Sequence, residues 1–90
     1  MNIEIIPVAI KKLKKRNIQQ EWVVEAVNGP DQVVDGYGGR EVAQKKRIID
    51  EKEYLIRVVY ERENDKIFVI TAYITSQIGR YWKKEMRDEN

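Results

Sequence analysis

Two runs rich in β-branched and aromatic residues, Glu53 to Glu61 and Lys66 to Ile74, flank the polar triplet Glu63-Asn64-Asp65, and that arrangement calls for an antiparallel hairpin. Side chains alternate between the faces of a strand, so loop length decides which residues share a surface. A three-residue loop sets Arg57 opposite Thr71 and Val59 opposite Val69. It also gathers Tyr54, Ile56, Val58, Tyr60, Phe68, Ile70, Ala72 and Ile74 onto one apolar surface, whereas a two-residue loop mixes Thr71 into it. The three-residue register is therefore expected.

The segments before the hairpin follow two different periods. Pro7 suits the first turn of a helix, where its missing N–H costs nothing, and Ile6, Ala9, Ile10 and Leu13 follow at helical spacing. This gives a helix over about 7–16. A second apolar set, Val23, Val24, Ala26 and Val27, runs up to the stop signal Asn28-Gly29-Pro30 and gives a helix over about 20–28. Beyond Pro30 the pattern turns to strands, with Val33-Val34, then Gly36, Gly38 and Gly39 as a turn, then a run from Arg40 to Ile49. Ninety residues hold one hydrophobic core. The expected architecture is α+β: two N-terminal helices packed on a roughly four-stranded antiparallel β-meander, with a short C-terminal helix or tail, in a single domain over 1–90.

The chain contains no cysteine and no histidine. That removes disulfides, thiolate nucleophiles, most zinc sites and the commonest general base. Chemistry falls to carboxylates, lysines, arginines, tyrosines and hydroxyls, and no metal or cofactor is expected. No stretch approaches the roughly 18 apolar residues of a membrane span, and the N-terminus has no basic segment leading an apolar run. A cytoplasmic protein with no membrane partner is expected. Seventeen lysines and arginines against fifteen acidic residues leave a net charge of only +2, so the placement of charge matters more than its sum.

Three placements stand out. If Asp50-Glu51-Lys52 is also a three-residue loop, Lys45 lies opposite Arg57, and Lys45, Arg57 and Thr71 form a row across three strands, roughly 5 Å apart. Arg47 and Tyr73 fall in the adjacent row. Opposed cations repel unless an anion lies between them, and a phosphate suits an arginine fork beside an ammonium. The alternative is a solvated surface on which Glu41 and Glu61 pair with these cations. Second, Lys11, Lys12, Lys14, Lys15 and Arg16 crowd five cations into six residues, as a nucleic-acid footprint, a partner-binding face or a solvated helix face does. Third, Gly79-Arg80-Tyr81-Trp82-Lys83-Lys84 interleaves aromatics with cations, as base-stacking segments do, and Tyr81 and Trp82 serve equally well as anchors against a core.

The succession Ala9, Lys12, Leu13, Arg16, Ile18, then Val24, Asn28-Gly29-Pro30-Asp31, Leu55-Ile56-Arg57-Val58-Val59, Val69-Ile70-Thr71-Ala72-Tyr73 and Arg80-Tyr81-Trp82 resembles domain-of-unknown-function family 4258 over about residues 5–82. That family is similar, more distantly, to RelE and BrnT-type toxins, small α+β endoribonucleases with an RNA site on the sheet surface. The resemblance implies partners of two kinds, RNA and an antitoxin-like protein. The family pattern has a histidine where this chain has Val8, and often an arginine at Lys12. The positions that match are Lys12, Arg16, Arg57, Thr71, Tyr73, Arg80 and Tyr81.

A metal-independent ribonuclease of this kind would direct the RNA 2′-OH onto the adjacent phosphate, which requires positioning, charge stabilisation and proton transfer. Arg57 and Lys45 are the candidates for stabilising charge, and Tyr73 for moving a proton or stacking a base. A lysine beside other cations is the candidate base. Lys12, Arg16, Arg47, Thr71, Arg80 and Tyr81 are the candidate phosphate and RNA contacts. The competing expectation is a module without catalysis that binds RNA on the same face, or a protein partner through the Val33-Val34 edge. Convergence of Lys45, Arg57 and Tyr73 in a concave site separates the two.

Overall fold

The computed structural model describes residues 2–83, in the order β1 (Asn2–Ile5), α1 (Pro7–Lys15), α2 (Gln20–Asn28), β2 (Gln32–Asp35), a 3-10 turn (Tyr37–Gly39), β3 (Glu41–Ile49), β4 (Lys52–Glu63), β5 (Lys66–Thr75) and α3 (Ile78–Tyr81). The strands form one mixed five-stranded sheet in the order β1-β5-β4-β3-β2. Strands β2 to β5 are the expected antiparallel meander. The expected count of four is corrected by β1, which runs parallel to β5 and sets Ile3 beside Ile67 and Ile5 beside Val69. At four residues, β1 is too short to announce itself by alternation, yet it places two apolar side chains on the core side.

Both helices form for the reasons their sequences give. Pro7 opens α1 behind an extended Ile6. The helix closes on Asn17, in the left-handed region at φ 57, with Asn17 N–H donating to Lys14 O at 3.3 Å and Ile18 N–H to Leu13 O at 2.9 Å. That pair of bonds is a Schellman closure, and its apolar members Leu13 and Ile18 are both buried. Helix α2 ends where Gly29 N–H donates to Glu25 O, just before Pro30. Leu13, Val23 and Ala26 then pack on Ala43, Ile56, Val58, Tyr60, Ile67, Val69 and Ala72, so both helices cover one face of the sheet. No helix among the described residues is long and apolar enough to cross a membrane.

The registers differ from expectation in a way that decides the chemistry. Both hairpin loops contain two residues, with Ile49 paired to Lys52 and Glu63 paired to Lys66. In the β4–β5 hairpin a bulge follows: Tyr60 pairs with Val69 but Val59 pairs with Thr71, leaving Ile70 as the extra residue. The shorter loop and the bulge offset each other in parity. Ala72 and Ile74 therefore face the helices as expected, while Ile67 and Val69 replace Phe68 and Ile70 there. Arg57 sits opposite Tyr73 rather than Thr71. In the β3–β4 hairpin no bulge restores the parity, and Gln44, not Lys45, is the partner of Arg57.

Candidate functional site

On the sheet face away from α1 and α2, the pairings Gln32–Gln44, Gln44–Arg57 and Arg57–Tyr73 align four side chains across β2, β3, β4 and β5. Hydrogen bonds run the length of this row. Gln44 Nε2 donates to Gln32 Oε1 at 2.8 Å, Arg57 Nε donates to Gln44 Oε1 at 2.6 Å, and Arg57 Nη1 donates to the Tyr73 hydroxyl. Gln44 is fully buried, and its Nε2 has a second acceptor in Tyr81 O at 3.3 Å. A buried amide satisfied on both ends has one orientation, so it fixes the guanidinium that leans on it. Nη2 of Arg57 has no acceptor among the described residues.

The C-terminal segment crosses one end of this row. Gln32 reads the backbone of Lys83 in both directions, donating from Nε2 to its carbonyl at 2.6 Å and accepting its N–H at 3.0 Å. The Tyr81 ring lies 4.3 Å from the Arg57 guanidinium carbon and meets Tyr73 edge to face at 6.2 Å. Lys46 Nζ sits 4.2 Å above Trp82, so both aromatics of the segment rest on cations of the sheet. Lys84, the last member of the basic-aromatic segment, lies outside the described residues.

Beside Arg57 the face sinks into an open depression of about 340 Å³, lined by Asp35, Tyr37, Arg40, Val59, Arg57 and Tyr73. The β2–β3 connection forms its rim. Gly36 packs closely there: a Cβ would stand 3.1 Å from Val42 Cγ2 and 3.2 Å from Arg40 O, and its N–H donates to that same carbonyl at 2.7 Å. Gly38 and Gly39 then take left-handed conformations at φ 69 and φ 83, which leaves Tyr37 95% exposed at the mouth. Arg40 is held by Glu61 at 2.9 Å. The depression thus joins two guanidiniums, two tyrosines and one carboxylate, a set that fits an anion carried by a flat ring. No group of three acidic side chains among the described residues stands close enough to hold a metal ion.

The expected site residues are split by the fold. Arg57, Thr71, Tyr73 and Tyr81 share the open face, with Arg57, Tyr73 and Tyr81 in contact. Lys45 and Arg47 do not join them. One step of register turns them toward α2, where Lys45 Nζ donates to Gly29 O at 2.9 Å and Arg47 pairs with Glu25 at 3.0 Å over the Trp22 ring. Arg16 binds Thr71 Oγ1 at 3.2 Å and Ala72 O at 2.8 Å, covering β5 beyond the end of β1. Lys12 lies along α1, and Arg80 is exposed on α3 with its guanidinium on Gln77. Glu61 and Glu41 do pair with cations, but with Arg40 and Arg62 rather than the expected row. Gln32, Tyr37, Arg40 and Gln44 were not anticipated. The one sequence signal for Gln44 is a polar residue following Val42-Ala43 within a strand.

A four-membered arginine-glutamine-tyrosine row on an open sheet face, closed at one end by an aromatic segment, marks this α+β fold and holds the Arg57 guanidinium in place. The chain belongs to the family described as Domain of unknown function (DUF4258), whose model matches residues 7–74. The match includes Arg57, Thr71 and Tyr73 and stops short of Tyr81. No curated protein and no solved structure matches the chain.

Proposed function

We propose that the open face binds single-stranded RNA through a backbone phosphate and that the protein is a toxin-like endoribonuclease of the RelE/BrnT kind, working without a metal. The observation that carries this reading is the Arg57 guanidinium, held by buried Gln44 and by Tyr73 at the wall of the depression, with Nη2 left for a ligand. A phosphate at Arg57 would have Arg40 as its second cation, and Tyr37, Tyr73 and Tyr81 offer ring faces to the adjoining bases. For cleavage, the 2′-oxygen would attack the neighbouring phosphorus as the bond to the 5′-oxygen breaks, giving a 2′,3′-cyclic phosphate and a free 5′-hydroxyl. Arg57 and Arg40 would stabilise the charge on the phosphorane. Asp35 is the carboxylate in reach of the depression to take the 2′ proton, and Tyr73 the hydroxyl to give one to the leaving oxygen.

A second reading, binding without cleavage, is favoured by the absence of Lys45 from the site and by the Tyr81 ring already lying on Arg57. Incubating purified protein with a mixed RNA pool in chelator separates the two. Cleavage by the wild type, lost in Tyr73→Phe and Arg57→Lys variants that keep the wild-type circular dichroism, supports the nuclease. Salt-sensitive binding without cleavage, weakened in the same variants, supports the binding module. Neither binding nor cleavage ends both readings.

A further inference from the structure

Helix α1 carries a second exposed surface that the open-face reading does not use. Val8, Lys11, Lys12 and Lys15 stand at i, i+3, i+4 and i+7, so they form one stripe along the helix. Ala9 and Leu13, on the other side, are buried against the sheet. Val8 is 50% exposed. Together with Lys11, Lys12, Lys14 and Lys15 it lines a shallow hollow of about 420 Å³. None of these four lysines has a carboxylate partner among the described residues, whereas Arg40, Arg47, Arg62 and Lys66 each have one. The surface is thus an apolar floor, made of Val8 and lysine methylene stems, ringed by unpaired ammonium groups.

We propose that this surface docks an acidic amphipathic segment of a protein partner, with an apolar side chain over Val8 and carboxylates on Lys11, Lys12 and Lys15. Charge complementarity and the apolar floor select this occupant together. A nucleic-acid backbone would answer the ammonium groups but leave Val8 facing water. An acidic segment satisfies both, because carboxylates flanking an apolar stripe match the stripe on α1. The surface lies on the helix-covered side of the sheet, whereas Arg57 lies on the open face.

The test uses ¹⁵N-labelled protein and a synthetic helical peptide bearing glutamates on both sides of a leucine stripe. Binding is expected to shift the amides of Val8, Lys11, Lys12 and Lys15 and to leave Arg57 and Tyr73 in place. Val8→Asp is expected to weaken it about tenfold, and the double change Lys11→Glu, Lys15→Glu by at least as much. These residues are exposed, so the variants keep the fold. The proposal is overturned if the peptide shifts no α1 amide, or if the same peptide with serine in place of leucine binds as tightly. Tighter engagement of the same amides by polyuridylate or by phosphatidylglycerol vesicles overturns it as well.

Discussion

Gln44 is fully buried and its amide has three partners, so the effect of replacing it depends on which of the three the new side chain keeps. Gln44→Ala keeps none: Arg57 Nε loses its acceptor, Tyr81 O loses the Gln44 amide, and Gln32 Oε1 keeps only the Lys83 N–H. Gln32, Arg57 and Tyr81 are half-buried, and the expected loss in urea unfolding is about 2 to 3 kcal/mol. Gln44→Glu is the more informative change, because it keeps the acceptor for Arg57 but has no hydrogen to give Tyr81 O or Gln32 Oε1, the two groups that tie the sheet to residues 78–83. The expected outcome is a folded protein in which amide exchange speeds up over residues 78–83 and not over β4; equal acceleration in β4 would show that the amide holds the strands rather than the segment. Glu41 offers a pH-dependent counterpart. A hydrogen bond from Tyr60, reinforced by Arg62, holds its carboxyl below the usual glutamate range, and burial together with that same bond pushes the Tyr60 hydroxyl up. A depressed carboxyl contributes stability that is present above its unfolded pKa and lost as pH falls through the folded one. Tyr60→Phe removes the largest cause, so the stability gap between wild type and variant should narrow as the pH drops below the usual carboxylate pKa of about 4.3. A gap that is constant from neutral pH to pH 3 would mean that the hydroxyl does not act through Glu41.

At the level of elements, how much was legible follows turn chemistry. Helices α1 and α2 and strands β2 to β5 were legible because Pro7, Asn28-Gly29-Pro30 and the β-branched runs each have a local cause. The Asp50-Glu51 turn was not. Both of its residues sit in the left-handed region, at φ 51 and φ 68, and neither is the glycine that usually marks a two-residue hairpin loop. Reading that loop one residue too long moved Lys45 and Arg47 to the wrong face and hid Gln44 and Gln32, so the open-face row could not be assembled from sequence. The Glu63-Asn64-Asp65 loop was misread in the same direction, but the bulge at Ile70 restored the parity and kept Arg57, Thr71 and Tyr73 together. Nothing in Val69-Ile70-Thr71 marks a bulge: three β-branched residues read as an uninterrupted strand. The strain at Glu51 is itself testable. A left-handed conformation costs a side-chain-bearing residue roughly 1 to 2 kcal/mol, part of which glycine returns as unfolded-chain entropy. Glu51→Gly is therefore expected to stabilise the protein by about 1 kcal/mol, seen as a rise of about 4 to 8 °C in the thermal midpoint. A fall in the midpoint would show that the Glu51 side chain makes a compensating interaction.

For the molecule as a whole, the sheet separates two basic surfaces: the Arg57 face, partly covered by residues 78–83, and the α1 stripe behind the opposite face. If RNA occupies the first alone, its salt dependence has to come from the cations there. Each phosphate neutralised on a single strand contributes a slope of about −0.7 in log affinity against log salt, so Arg57 and Arg40 together give about −1.4. Lys11 and Lys15 are exposed on α1, which packs on the sheet face opposite Arg57, and salt at physiological ionic strength largely screens exposed charges beyond about 8 Å. The double change Lys11→Glu, Lys15→Glu should therefore leave the slope for polyuridylate unchanged, while Arg40→Ala should reduce its magnitude by about 0.7. The path by which this could fail is visible in the fold. Arg16 reaches Thr71 and Ala72 where β5 runs on past the end of β1, and a strand of RNA passing that edge would touch Arg57 and α1 at once. In that case the α1 variant would lose slope as Arg40→Ala does, the two surfaces would be one continuous track, and the acidic segment proposed for Val8 would have no surface of its own.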